Sequence, residues 1–187
     1  MQNVLGRIDR ALDTTAAIVA EVGDEQLAAA TPCAGWDVRT VLDHLVGGMH
    51  IFAAKLSGND TGAGTAEGWL GSDPQAAYAA AAEIDRAAWR RPDVPTATVQ
   101  LSIGPVPAPA AVQIHLTELV VHGLDLALAT GRTDLIDDAL CAELLDTMRY
   151  YGGIDTYRAA GLFGPALPVD ADAPGHRALL AYTGRKW

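Results

Sequence analysis

Positive charge is what this sequence has least of. There are two lysines, Lys55 and Lys186, beside 11 arginines, and Lys plus Arg total 13 against 23 Asp plus Glu, a net charge of −10. A chain this acidic repels phosphate backbones and anionic headgroups, which argues against nucleic-acid binding and against attachment to a membrane surface. Cysteine is also scarce. Cys33 and Cys141 make one disulfide at most, which excludes a disulfide framework and a Cys-rich zinc site. An export signal is not evident, because Arg7, Asp9, Arg10 and Asp13 stand where a secretory core should be apolar. The longest uncharged run, residues 94–114, is interrupted by Pro95, Pro105, Pro107 and Pro109 and carries polar Thr, Gln and Ser, unlike a membrane helix. These absences lead to the expectation of a soluble, cytoplasmic protein. No internal repeat is visible.

What remains is enough for a core. Of 187 residues 50 % are hydrophobic and 19 % charged, which fits one domain, or one domain with a small appendage. Apolar residues at Val4, Ile8, Leu12, Ile18, Val22 and Leu27 predict a first helix over residues 3–30, with Gly23-Asp24 as a break near its end. Residues 31–37 hold Pro32 and Gly35 and read as a loop, with Asp37 as the N-cap of a second helix over 38–55. A glycine-rich loop, with residues 58–71 as a gate over the site, precedes Ser72-Asp73-Pro74, a cap followed by a first-turn proline. The third helix carries Tyr78, Ile84 and Trp89. Residues 96–103 alternate enough for a short strand or an extended crossover. A fourth helix spans 110–130 and stops at Gly131, and a fifth spans 134–151. Residues 152–187 form an irregular C-terminal tail with a last helical turn near 177–182. The pattern is an all-α bundle: residues 1–151 as a four-helix bundle with a fifth helix, and 152–187 as a C-terminal extension packed on it.

The fourth helix carries the chemistry. Between Ile114 and Ala129 it is apolar nearly all round, as a buried helix is. Yet His115, Glu118, His122 and Asp125 follow one another at steps of three, four and three, along the seam that ordinarily meets neighbouring helices. An unpaired buried carboxylate costs several kcal/mol, so something must compensate Glu118. A protonated His122 is one candidate. A divalent cation is another, since Glu and His at i and i+4 present two ligands on one face. The second helix offers His44 beside its apolar stripe, followed by Gly47 and Gly48. Each of these glycines costs about 1 kcal/mol relative to Ala, and Gly48, one turn from His44, leaves the surface beside the imidazole bare. His44, Glu118 and His122 together make a His₂-carboxylate donor set, of the kind that leaves coordination positions open.

Other residues keep two readings. His115 reads as a fourth ligand, as a group behind a ligand, or as a residue turned toward another helix. Asp125 reads as the group that orients a ligand imidazole, as a general base, or as a partner of Arg132. Cys33 is either a metal ligand or reactive thiol near the site, or a small buried loop residue, the commoner case. Trp36 reads as a core anchor for its loop, Cys141 as packing, and His50 and His176 as solvated or structural.

Three stretches then point to a family. Thr31-Pro32-Cys33, Trp36-Asp37-Val38-Arg39, Leu42 and His44-Leu45-Val46 resemble the first signature of the mycothiol-dependent maleylpyruvate isomerase N-terminal family, of the DinB/YfiT-like metal-binding superfamily. Glu118-Leu119-Val120-Val121-His122-Gly123-Leu124-Asp125-Leu126-Ala127 resembles its second signature, with Leu124 where Trp is commoner. Phe163-Gly164-Pro165, Asp172-Ala173-Pro174 and Tyr182-Thr183-Gly184-Arg185 are similar to an actinobacterial subgroup known only as metal-binding proteins. The resemblance implies an up-down-down-up four-helix bundle. It implies a divalent metal, zinc or nickel, on His44, Glu118 and His122, with mycothiol as the thiol cosubstrate of the characterised relatives. The isomerase has a further C-terminal domain that contributes to its active site, and residues 152–187 are too short for one.

The function expected is therefore that of a metal-dependent enzyme transferring a mycothiol-type thiol to a small electrophile, with Asp125 and His115 as candidate catalytic groups. The alternatives are a metal-dependent hydrolase with Asp125 or His115 as base, and a metal- or small-molecule-binding protein without turnover. The expected partner is a small-molecule substrate, not nucleic acid or membrane, with a homodimer left open.

Overall fold

The structure is a computed structural model that describes residues 1–58 and 68–187. The loop expected over 58–71 therefore lies for the most part outside the described residues. Four long helices make the frame: α1 (Gln2–Ala20), α2 (Val38–Leu56), α3 (Pro74–Trp89) and α4 (Ala108–Thr130). A hairpin of β1 (Thr98–Leu101) and β2 (Gly104–Pro107) joins α3 to α4, and α5 (Asp138–Tyr150), α6 (Asp155–Ala159) and α7 (Gly175–Thr183) follow. The helical architecture is the one expected from the periodicity.

Local chemistry sets the ends. Asp37 caps α2 by accepting the Thr40 N–H at 2.8 Å, and Asp73 caps α3 by accepting from Ala76, with Pro74 in the first turn. The Thr40 hydroxyl and N–H hold the Asp37 carboxyl below its ordinary value. α1 stops ten residues short of the expected end, at Ala20 rather than residue 30. Here the Gly23 N–H bonds the Gln26 side chain at 3.0 Å, and a short 3₁₀ turn at Asp24–Gln26 replaces further α-helix. The crossover is an antiparallel hairpin, Thr98 opposite Pro107 and Leu101 opposite Gly104. Its second strand carries Pro105 and Pro107, which a two-stranded ribbon tolerates because each strand has a free edge.

α2 packs on α3 and α4, and α1 on α4 and α3. Arg86 bonds Asp9 at 2.8 Å and also reaches Asp13, which ties α3 to α1, while Arg10 bonds Asp137 and Glu143 at 2.9 Å and ties α1 to α5. α1 and α4 approach closely at Gly123, where an added Cβ would lie 2.7 Å from the Thr15 hydroxyl. α4 is long and apolar enough by composition to cross a membrane, and 72 % of its most apolar window is buried inside the molecule. It runs through the core, with Leu116, Leu119 and Leu126 fully enclosed. α7 packs on α5 and touches α4, which brings the C-terminal segment to the same helix that carries Glu118 and His122.

Candidate metal centre

The loop before α2 is folded so that its aromatic faces inward on the site. Thr31 accepts the Cys33 N–H at 3.1 Å and donates its hydroxyl to the Trp36 carbonyl at 2.9 Å. The turn from Cys33 to Trp36 needs a left-handed residue, and Gly35 supplies it at φ 82°. The result sets the Trp36 ring edge-on to His44, centroids 4.9 Å apart, and stacked on His122, 5.5 Å apart and within 10° of parallel.

α2 and α4 bring three donors to one point. His44 Nε2 lies 3.1 Å from Glu118 Oε2, and His122 Nε2 lies 3.4 Å from the same oxygen. One donor atom from each of the three residues falls within 4.8 Å of the others. Zinc-ligand bonds of about 2.0–2.2 Å in a tetrahedral site place donor atoms about 3.3 Å apart, so the set fits a divalent cation with little rearrangement. His122 is buried, whereas the side chains of His44 and Glu118 keep 31 % and 39 % of their surface exposed. Two of the three residues thus reach solvent, and the cluster is not sealed.

The electrostatics are those of a site prepared for positive charge. Burial acts against ionisation of Glu118, but His122 and His44 outweigh it and hold the carboxyl far below its ordinary value. Burial likewise disfavours charge on His122, but hydrogen bonds to Asp125 and Glu118 win and push its value up to about 9. A protonated His122 thus faces the Glu118 carboxylate.

Behind His122 stands a relay. His122 Nδ1 donates to Asp125 Oδ2 at 2.9 Å, and Arg185 Nε donates to Asp125 at 2.9 and 3.1 Å. Asp125 has no exposed surface, and Arg185 is 7 % exposed. Both carboxylate oxygens are thus committed, and Asp125 is built to orient His122. Its partner is Arg185 on the segment after α7, not Arg132, which pairs with Glu21 at 2.7 Å and Asp134 at 3.1 Å.

The structure does not bring His115 to this cluster. It lies buried between α3, α4 and α2, its ring 4.4 Å from that of Phe52 and 5.8 Å from that of Trp89. Its Nε2 is 2.9 Å from Asp85 Oδ1, but off the hydrogen-bonding direction, and that oxygen accepts from Trp89 Nε1 at 3.1 Å. His115 stands seven residues, about 10 Å of helix rise, from His122, and at that level of the bundle it meets α3 instead. Cys33 does sit beside the cluster, with donor atoms of Cys33, His122 and Asp125 within 4.8 Å of one another. Burial, and next the Asp125 carboxylate, push its thiol above the ordinary value. His50 stacks on Trp69 at 4.6 Å, His176 pairs with Asp138 at 2.6 Å, and Cys141 is buried packing. Trp36 and Arg185 are the site residues that sequence reasoning passed over. Both stand within the quoted signatures, which was the available signal.

Residues 8–127 match the family described as Mycothiol maleylpyruvate isomerase N-terminal domain. The chain belongs to this family. Similar proteins include Uncharacterized protein MT0763 and Uncharacterized protein Rv0738 of two Mycobacterium tuberculosis strains, each 30 % identical over 177 residues, 94 % of either chain. Among solved structures, the mycothiol-dependent maleylpyruvate isomerase superposes with a TM-score of 0.56 at 16 % identity, covering 76 % of this chain and 68 % of that one. A histidine-to-alanine mutant of the same enzyme superposes equally well at 14 % identity. At such identities the likeness is one of fold. Within the family match fall His44, Glu118, His122 and Asp125, whereas Arg185 lies beyond it.

Proposed function

We propose that this protein is a divalent-metal-dependent enzyme that transfers a mycothiol-type thiol to a small electrophile. The observation that carries the reading is the meeting of two imidazole nitrogens and one carboxylate oxygen, from two helices, at 3.1 and 3.4 Å and open to solvent on one side. His44, Glu118 and His122 would hold the cation, and two imidazoles with a carboxylate suit zinc or nickel. When bound, the cation favours the thiolate form of a thiol at neutral pH, which makes a nucleophile. Family membership supports a thiol as the cosubstrate, since mycothiol is named for the isomerase that shares the fold.

The remaining roles belong to the chain. Asp125 takes the proton of His122 Nδ1 as a hydrogen bond and so leaves the Nε2 lone pair facing Glu118. Arg185 balances the Asp125 charge in the interior, which keeps Asp125 ionised for that task. Trp36 covers one side of both imidazoles, limits water there and fixes their tilt. We assign Asp125 a positioning role, because its oxygens have no surface to offer a substrate.

Metal analysis of protein purified without chelators tests the first half: an equimolar divalent metal is expected, and His44→Ala is expected to lack it. A panel of electrophiles assayed with and without mycothiol tests the second. Turnover only with the thiol supports transfer. Turnover without it points to hydrolysis, and no turnover in a metal-loaded protein points to a binding role.

A further inference from the structure

The stretches Phe163-Gly164-Pro165 and Tyr182-Thr183-Gly184-Arg185 supply none of the three donors, yet they touch each other, backbone on backbone. A Cβ added at Gly184 would lie 2.5 Å from the Gly164 carbonyl carbon and 2.6 Å from its Cα, and one added at Gly164 would lie 3.1 Å from the Gly184 carbonyl oxygen. Gly184 also ends α7 in the left-handed conformation, φ 76°. That conformation alone does not call for the contact: Gly131 ends α4 at φ 74°, and a Cβ there would meet nothing within 4 Å. Arg158 on α6 ties the crossing by donating to the carbonyls of both Gly164 and Tyr182. The residue after Gly184 is Arg185. Its N–H bonds the Leu180 carbonyl at 2.9 Å, its guanidinium lies 5.8 Å from the centre of the Phe163 ring, and its Nε reaches the buried Asp125 that bonds His122.

We propose that this crossing is a positioning device for the site: Gly184 and Phe163 set Arg185 on Asp125, and through Asp125 they hold the His122 imidazole in place. Asp125 has no exposed surface, so its partner must arrive by one fixed path. The path is defined on both sides. The close approach of Gly164 and Gly184 fixes where the backbone of Arg185 starts, and the Phe163 ring fixes where its guanidinium lies. A side chain at Gly184 would push the chain off Gly164 one residue before Arg185. The effect on metal affinity rests on the metal reading given above; the hold on His122 does not.

The test uses the full chain with histidine labelled in 15N. In the metal-free wild type a slowly exchanging Nδ1–H resonance of His122, assigned by its loss in His122→Gln, is expected. Gly184→Ala should lose that protection and bind cobalt(II) about tenfold or more weakly. Gly131→Ala carries the same left-handed strain without the crossing, so it should lower the melting temperature and leave both the resonance and the cobalt affinity as they were. Phe163→Leu should change both readouts in the direction of Gly184→Ala, and Phe163→Tyr, which keeps the ring, should restore them; this pair decides the matter if Gly184→Ala does not fold. A wild type without the protected resonance overturns the proposal. So does a wild-type resonance in Gly184→Ala or, if that variant does not fold, in Phe163→Leu, and so does an equal loss in Gly131→Ala. A wild type that shows the resonance and its loss in Gly184→Ala but holds no cobalt overturns the metal reading and upholds the hold on His122.

Discussion

Arg185 Nε bonds both carboxylate oxygens of Asp125, at 2.9 and 3.1 Å, and one of those oxygens also receives His122 Nδ1 at 2.9 Å. A residue beyond α7 thereby holds the carboxylate that orients an imidazole on α4. Truncation at Arg185→Ala should leave Asp125 charged, buried and half-partnered, at a cost of about 3–5 kcal/mol in stability. Metal affinity should fall about 10–100-fold, as it does when the group behind a ligand histidine is removed. Thermal melts with and without added metal check both. Wild-type values in the variant would show that the pair does not act on the site.

Metal uptake should release a proton. Metal-free His122 holds its proton up to about 9, and a cation needs the neutral ring. Apparent affinity should therefore rise with pH from neutrality and level off above about 9. Calorimetric titrations in buffers of different ionisation heat should give different enthalpies near neutral pH, and identical enthalpies would contradict the proton count. For the metal-free fold the sign is set by the same raised value: its stabilisation is whole below 6.5 and is lost as pH climbs through about 9, so the melting temperature should drop across that interval.

Trp36 should report the metal by its fluorescence. Its ring is stacked on His122 and edge-on to His44, while Trp89 lies against Phe52 and His115. Trp36→Phe should keep the metal and lose most of the emission change that accompanies uptake. An undiminished change in that variant would place the cation elsewhere.

Gly123→Ala should destabilise the protein by about 1–3 kcal/mol, because the new methyl group must displace the buried Thr15 hydroxyl. Adding Thr15→Ala should recover part of the loss, and the double-mutant cycle measures the contact. Additive losses in urea unfolding would mean that the two helices are farther apart than they stand here.

The meeting of His44, Glu118 and His122 was legible because its signal is local: Glu118 and His122 share one turn of a helix too apolar to leave them in water, and His44 is followed by glycines that a helix does not want. The helices themselves were legible for the same reason, from caps such as Asp37 and Asp73 and from apolar spacing. What was lost depends on tertiary contacts. Spacing put His115 on the line of Glu118 and His122, and only the packing of α3 draws it toward Asp85. The partner of Asp125 was sought nearby at Arg132, whereas the chain returns from far away to supply Arg185. Trp36 looked like a core anchor because a sequence does not say which way a loop tryptophan faces. β2 was hidden by its prolines, and α6, five residues long, is too short for any periodicity to show.

The Asp125–Arg185 contact also makes the site depend on the segment after α7. Glu118, His122 and Asp125 all stand on α4, and His44 on α2, but the arginine that holds Asp125 comes from the chain after α7. On the metal reading proposed above, a chain in which this contact has not formed, however helical, should load poorly. Occupancy of the ion would serve the experimenter as a gauge of whole-molecule completion.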